Sequence, residues 1–324
     1  MERYTLKVYI KTPARLHLGL IDLNGSMGRM YGGLGVGIDR PNVIIEAEHA
    51  PTLTVTGQRV QFVTELARQF FKAYQIKPSG HIHVKQTIPA HTGLGSGTQF
   101  ALAVATVLAK LNGINASTPE LALAMGRAKL TSVGTTIFQN GGFVVDGGKK
   151  IAQDNCFPSI IYQRSFPEDW RFIVAIPNIE KGLSNAKEKA AFNKLPPMQT
   201  EDVAKICHLT MLKLLPALVE KDLKSFSEAL TAIQIVTGNY FASVQGGTYA
   251  NVKIAETLEY IKQLGICGFG QSSWGPTLYG IVEQNEAKEV LEKVKSYLAK
   301  GVGGEAFVAK ANNKGATIKI AKTV

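Results

Sequence analysis

The segment Pro89-Ala90-His91-Thr92-Gly93-Leu94-Gly95-Ser96-Gly97-Thr98 constrains this chain more than any other. It joins a strand-like run, His81 to Gln86, to a strongly helical and almost wholly apolar run, Ser96 to Leu111. A glycine-rich turn that leads from a strand into a helix leaves backbone N–H groups unpaired at the helix start. The helix dipole adds partial positive charge there, so such a turn suits a phosphate. Glycine lets the backbone approach the anion and adopt angles other residues resist. No Gly-Lys-Ser/Thr closes the segment, so it is not a Walker loop, and Thr98 stands where a dinucleotide fingerprint needs its third glycine. The plainer alternative is a glycine-rich turn capped by Ser96 or Thr98 that holds no ligand.

With 324 residues, 45% hydrophobic and 19% charged, the chain has room for two domains and a sizeable core. Its formal net charge of +11 favours anionic partners, either nucleic acid or small phosphorylated substrates. Lys187, Lys189, Lys194, Lys310, Lys314 and Lys319 lie singly among acids and apolar residues rather than in a basic block interleaved with aromatics. That pattern disfavours a nucleic-acid groove. Three unpaired-looking cysteines, Cys156, Cys207 and Cys267, argue against a disulfide framework or a zinc site and fit a reducing compartment. Met1 to Lys11 alternates like a strand rather than a signal peptide, and no apolar run approaches the roughly 18 residues of a membrane span. A cytoplasmic protein without a membrane partner is expected.

Periodicity predicts strands at Lys7 to Ile10, Leu16 to Ile21, Val43 to Glu48, Leu53 to Val55 and His81 to Gln86. Asn24 to Gly37 holds six glycines, too many for a helix; it reads as a loop, or as a strand that something approaches closely. Helices are expected over Val60 to Tyr74, Ser96 to Leu111 and Pro119 to Lys129. Gly141 to Gly148 reads as a strand ending in an Asp-Gly hairpin turn, with Asp146 a turn residue. A boundary near Gln163 to Asp169 separates an N-terminal domain, 1–165, from a C-terminal domain, 166–324. The second half is expected to lay helices over Asn185 to Asn193, Glu201 to Val219, Leu223 to Val236, Tyr249 to Leu264 and Glu286 to Leu298. They cover strands at Arg171 to Ile176, Ile266 to Gly270, Leu278 to Val282, Ala306 to Lys310 and Thr317 to Ala321. The class is α+β in both halves.

Three segments line up in order. They are Pro13-Ala14-Arg15-Leu16-His17-Leu18-Gly19-Leu20-Ile21-Asp22-Leu23-Asn24-Gly25 with its continuation to Gly35, then Pro89 to Thr98, then Gly270-Gln271-Ser272-Ser273-Trp274-Gly275-Pro276-Thr277. The order resembles the GHMP kinase superfamily, whose small-molecule kinases hold ATP phosphates on a Pro-x-x-x-Gly-Leu-Gly-Ser loop. Within it, Pro13 to His17, Gly141 to Gly148, Phe166 to Phe172 and Gln271 to Pro276 look most like the β-ribofuranosylaminobenzene 5′-phosphate synthase family. The resemblance covers nearly the whole chain. It implies a two-domain GHMP-kinase-like fold, with a ribosomal-S5-like N-terminal domain and a ferredoxin-like α/β sandwich at the C-terminus. It also implies a decarboxylating phosphoribosyltransferase, a glycosyltransferase of the pentosyltransferase type. That activity condenses phosphoribosyl pyrophosphate with 4-aminobenzoate or 4-hydroxybenzoate, releases CO₂ and pyrophosphate, and serves (tetrahydro)methanopterin biosynthesis. Mg²⁺ is implied as companion of the diphosphate, pyridoxal phosphate (PLP) is not, and relatives suggest a homodimer.

On this reading Gly93, Leu94, Gly95, Ser96, Gly97 and Thr98 bind phosphate, with Ser96 beside the metal. Arg15 and Arg29 suit carboxylate or phosphate contacts. Strand alternation puts His17 on the face of Arg15, where it handles charge at the arene. Asp22 and Asn24 share a face and are candidates for ribose hydroxyls or metal-bound water; their alternative is a turn-forming Asn-Gly. Gln271, Ser272 and Ser273 offer polar groups on a glycine-flanked loop, and Trp274 is either a core aromatic or an arene neighbour. Two other classes compete. An ATP-dependent GHMP small-molecule kinase is opposed by the absence of any carboxylate from Arg127 through Val145, where such kinases place a base. The family's Ser-Gly-Ile-Gly is replaced here by Ser132-Val133-Gly134 following Thr131. An RNA-binding module is opposed by the scattered lysines.

Overall fold

The structure, a computed structural model, describes residues 5–153, 156–180, 190, 192 and 194–323. Two antiparallel ladders and one mixed sheet form its frame. The first sheet runs β1 (Thr5–Lys11), β4 (Ile44–Glu48) and β6 (His81–Gln86), edged on one side by β5 (Thr54–Gly57) parallel to β6. Its other edge is β14 (Thr317–Thr323), which pairs with β1 in register from Thr5↔Thr323 to Lys11↔Thr317. The end of the chain therefore returns to the sheet that its beginning started. The second sheet takes β2 (Ala14–Asp22), β3 (Arg29–Ile38), β7 (Phe143–Asp146) and β9 (Ile160–Arg164), and the two-residue β8 (Lys149–Lys150) pairs with β3. The third, in the C-terminal half, orders β11 (Gly268–Gln271), β12 (Leu278–Glu283), β10 (Trp170–Pro177) and β13 (Gly304–Lys310).

Strands His81–Gln86 and helices α1 (Val60–Tyr74) and α2 (Ser96–Leu111) fall where the periodicity places them. Helix α2 is apolar all round, and its run from Gln99 to Ala109 is buried at every position. A helix with no solvent face is held from all sides, so its first turn is fixed in space. Helix α4 (Val133–Asn140) presses Val133 onto the glycines of β3. A Cβ on Gly35 would stand 2.5 Å from Val133 Cγ1 and 2.9 Å from the Leu16 carbonyl oxygen. The glycine-rich segment is thus a strand approached closely, the second of its two readings.

Four expectations change. Helix α3 (Thr118–Ala124) stops five residues before Lys129, because Gly126 and Ala128 adopt φ of +62° and +59°. The end is closed by Gly126 N–H donating to Leu123 O and Arg127 N–H to Ala122 O, a left-handed termination that a glycine invites. The 141–148 hairpin does not form: β7 pairs with β3 and β9, and β8 pairs with β3. Between Thr200 and Glu220 the helix is broken into α5 (Thr200–Leu209), a π turn at Thr210–Leu214, and α6 (Leu215–Glu220). Pro216 lacks the N–H the regular ladder needs, and the widened turn absorbs it. Helix α7 (Leu223–Gln245) continues nine residues past Val236, through Gly238, whose missing Cβ would meet the Thr248 carbonyl at 2.3 Å. The helix expected over Asn185 to Asn193 lies outside the described residues apart from 190 and 192. Helices α8 (Val252–Gln263) and α9 (Ala287–Lys300) complete the C-terminal half.

Gly35→Ala tests the close approach of α4: overpacking should cost about 1–3 kcal/mol, read as a lower chemical-denaturation midpoint at unchanged slope. A midpoint equal to wild type would mean that α4 does not bear on this strand.

Candidate active site

The three segments that carry the resemblance converge on one carbonyl. The Gly93 oxygen accepts from Arg15 Nη1 at 3.1 Å and from the Ser272 hydroxyl at 2.7 Å. Ser272 Oγ in turn accepts the His17 backbone N–H at 2.9 Å. Arg15 N–H donates to Leu94 O at 3.1 Å, and Thr277 N–H to Thr92 O at 3.1 Å. Gly93 permits this contact, since at φ +88° a Cβ there would lie 2.1 Å from the Ser272 carbonyl oxygen. Leu94 is fully buried and serves as an apolar anchor.

Past this junction α2 begins. Among the described residues the N–H groups of Ser96 and Gly97 find no protein acceptor, and no acidic side chain occupies the first turn. Two guanidinium groups flank it. A Cβ on Gly95 would lie 3.3 Å from Arg15 Cβ and 3.5 Å from its Nε, and a Cβ on Gly97 would lie 3.4 Å from Nη1 of Arg127. Arg127 makes no ion pair among the described residues and its buried Nε has no hydrogen-bond partner there. Arg127 was missed in the sequence; the signal for it is Gly126, which ends α3 early and turns the arginine back toward α2.

A cleft of about 1170 Å³ opens at this point between the two halves. Its cationic wall carries Arg15, Arg127, Lys129 and Lys149, with Thr98 and Thr131 between them. No Asp or Glu of the described residues lines it. His17 lines it too, nearly buried. Burial first, and the Arg15 charge second, drive its imidazole down to about 3, so it is neutral at physiological pH.

The other candidates divide. Ser273 and Gln271 line the cleft. Gln271 is committed to the fold: its Oε1 accepts Ala250 N–H at 2.9 Å and its Nε2 donates to Ser273 O at 2.8 Å. Ser272 is buried in the junction just described. Asp22 and Asn24 form the turn of their alternative reading, with Asp22 Oδ1 accepting the N–H groups of Asn24 and Gly25 at 2.7 and 2.9 Å. Asn24 Nδ2 also donates to Met198 O at 2.6 Å. Neither lines the cleft, and nor does Arg29, whose guanidinium donates to the carbonyls of Gly147 and Gly148 at 2.6 and 3.0 Å. Trp274 is buried, as a core aromatic would be, and it also lines the cleft.

Asp146 is not an exposed turn residue. It is fully buried, and its carboxylate accepts Ser132 N–H at 2.8 Å and Gly148 N–H at 2.9 Å, with the Gly33 and Val133 amides also turned to it. Burial outweighs these donors and pushes its pKa up to about 6. As for a metal, no group of three or more His, Cys, Asp or Glu suited to hold one occurs among the described residues. Ser96, Thr98 and Thr131 offer hydroxyls but no described carboxylate joins them, so the described residues do not make a resident Mg²⁺ cage.

Sequence comparison decides the family. The chain is 37% identical to a β-ribofuranosylphenol 5′-phosphate synthase of Archaeoglobus fulgidus over 325 residues, covering 96% of this chain and 99% of that one. It is 31% identical to a protein of the same name from Methanothermobacter thermautotrophicus, covering 96% and 98%. The chain belongs to the β-ribofuranosylphenol 5′-phosphate synthase family. Its residues 61–141 match the GHMP kinases N terminal domain and 214–300 the GHMP kinases C terminal domain. The frame is shared with the galactokinase of Lactococcus lactis solved with galactose, at a TM-score of 0.70 and 15% identity over 96% of this chain and 95% of that one. The fold is therefore that of the GHMP kinases, as the resemblance implied. No described helix is long and apolar enough to cross a membrane.

Two measurements test the site's framework. Ser272→Ala leaves the His17 amide and a Gly93 carbonyl lone pair without their partner, which should cost about 1–3 kcal/mol in denaturant titration; an unchanged stability would remove the junction's importance. Asp146 favours its protonated form when folded, so its contribution is complete below the unfolded pKa near 3.8 and is lost as pH rises through about 6. Relative to Asp146→Asn, wild type should lose about 2 kcal/mol between pH 4 and 7.5. The difference cancels the opposite trend of His17, and a pH-independent difference would contradict the buried carboxylate.

Proposed function

We propose that this enzyme joins the anomeric carbon of phosphoribosyl pyrophosphate to the ring of 4-hydroxybenzoate, expelling pyrophosphate and CO₂. The phenol in the relatives' name supports the hydroxy arene over 4-aminobenzoate. The single observation that carries the reading is a cleft wall on which Arg15 and Arg127 converge at the first turn of α2, with Lys129 and Lys149 also in the lining of that cleft. Such a wall suits a group leaving with several negative charges.

The bond from the anomeric carbon to the diphosphate oxygen breaks, and its electron pair departs with pyrophosphate. The ring carbon that bears the carboxylate supplies the pair for the new carbon–carbon bond, aided by donation from the para hydroxyl. The ring-to-carboxylate bond then breaks, CO₂ leaves, and its pair restores aromaticity. The balance requires no net proton transfer. The site must neutralise a departing anion and fix two reactants in line. Preorganised N–H groups and guanidinium forks do this without reorganising as the charge develops. Ser96 and Gly97 amides with Arg15 and Arg127 would take the diphosphate, and Thr98 stands at the same wall. Mg²⁺ would enter as part of the diphosphate substrate rather than on a protein cage. His17, neutral through the working range, would offer a hydrogen bond and keep charge off the arene side.

The kinase reading is the weaker one, since the described cleft supplies no carboxylate to receive an alcohol proton. Incubation with phosphoribosyl pyrophosphate, Mg²⁺ and carboxyl-labelled 4-hydroxybenzoate should release labelled CO₂ only when the donor is present. ATP consumption with an alcohol acceptor and no CO₂ would reverse the assignment. Arg127→Ala should raise the KM for the phosphoribosyl donor by about tenfold or more, with a much smaller change for the arene. An unaltered donor KM would take Arg127 out of the cradle.

A further inference from the structure

The cleft has a second wall, made of rings. Tyr31, Phe192, Phe241 and Trp274 all line it. They meet edge to face, with centroids 5.8 Å apart for Tyr31 and Phe192, 5.5 Å for Phe192 and Phe241, and 4.9 Å for Phe241 and Trp274. Phe241 and Trp274 are buried, while Tyr31 and Phe192 are half-buried. Helix α7 brings the ring of Phe241 there through a stripe spaced by three or four residues: Gln234, Thr237, Gly238, Phe241 and Gln245. Thr237 lies one turn before Phe241. It is only 9% exposed, and its Oγ1 has no hydrogen-bond partner among the described residues. A buried hydroxyl left unpaired is costly unless a ligand completes it. The ring wall is tied to the cationic wall by Ser272, whose hydroxyl binds the Gly93 carbonyl two residues before Trp274.

We propose that these four rings form the subsite for the substrate's arene, and that the Thr237 hydroxyl hydrogen-bonds the group para to its carboxylate. The inference rests on the transferase reading and goes beyond it in naming the arene's contacts. An aromatic substrate presents a π face and positive edges, and a cage of edge-to-face rings matches both. The ring must lie beside the departing diphosphate for its carbon to attack, and the Ser272 hydroxyl ties the glycine loop to the turn that carries Trp274. The para substituent needs one polar contact inside an otherwise apolar wall. Thr237 supplies the one unpaired hydroxyl on the α7 stripe.

The test uses the full chain carrying Phe241→Leu or Thr237→Val. Phe241→Leu should raise the KM for 4-hydroxybenzoate about tenfold and hold that of the phosphoribosyl donor within about twofold. Thr237→Val keeps the shape and removes the hydroxyl. It should raise the KM for 4-hydroxybenzoate about fivefold and leave the inhibition constant of benzoate, which lacks the para group, unchanged. Equal losses for donor and arene, an unchanged arene KM, or equal weakening of benzoate and 4-hydroxybenzoate by Thr237→Val would overturn the subsite. A binding readout separates this from the reaction itself. With Trp170→Phe, Trp274 is the remaining tryptophan of the two, and 4-hydroxybenzoate should quench it. If wild type released no labelled CO₂, quenching that Phe241→Leu abolishes would still support the subsite, and an absence of quenching would sink it.

Discussion

The Gly93 carbonyl is the point on which the rest of this structure depends. It collects a guanidinium from the second strand and a hydroxyl from a turn 179 residues further on. Only a residue without a side chain can stand there, because the Ser272 backbone occupies the space a Cβ would need. The three segments are far apart in the chain, and each alone is ambiguous. Joined at this carbonyl they orient the glycine loop, point Arg15 along the start of α2, and set the turn that carries Trp274. The all-round burial of α2 does the complementary part. A helix that cannot tilt keeps its unpaired first-turn amides where the junction aims them.

Charge then follows from geometry. Two guanidinium groups and two ammonium groups line one cleft, and no Asp or Glu of the described residues is in its lining. Such a local concentration of positive charge favours an incoming polyanion. The same field acts on His17. Its imidazole loses its proton to burial and to Arg15 well below neutral pH, so the histidine adds no further cation. The net charge of the chain is a poor guide to this, because the exposed lysines Lys310, Lys314 and Lys319 lie elsewhere on the surface. The functional excess is local, and it comes from residues brought together by the fold.

Much of the frame was legible in the sequence, and so were the three segments that meet at the junction, though not their contact through the Gly93 carbonyl. Strand and helix periodicity placed α1, α2 and β6 at their observed bounds, and the glycine loop announced its helix. What escaped was tertiary. Arg127 reads as an ordinary helical residue until Gly126 and Ala128 turn left-handed. The sequence reading ended the α7 stripe at Val236, two residues before Gly238, which is there to admit the Thr248 carbonyl. Asp146 looks like half of an Asp-Gly turn, and its burial depends on β8 pairing with β3 rather than with β7. At Gly238 and Gly148 a glycine marked a close approach that a local rule took for a break, while at Gly126 a real break was read through as helix. Asp22, Asn24 and Arg29 show the converse. Their spacing suggested a site, and their side chains close turns and loops of the backbone instead.

Asp146 also bears on how one frame serves different chemistries. A phosphoryl transfer to an alcohol must dispose of a proton, and a carboxylate at the start of α4 would be one group able to receive it. Here the carboxylate closest to that helix start is turned inward and committed to the amides of Ser132 and Gly148. It braces the α4 turn against β3 and stays out of the cleft. The neutral His17 is too weak a base to replace it. A reaction whose electron pairs balance through loss of pyrophosphate and CO₂ has no such proton to place. Its barrier lies in separating charge at the anomeric carbon, which a cationic wall lowers directly. The proposed transfer therefore asks of this cleft a cationic lining, which Arg15, Arg127, Lys129 and Lys149 supply, on a backbone that kinases share.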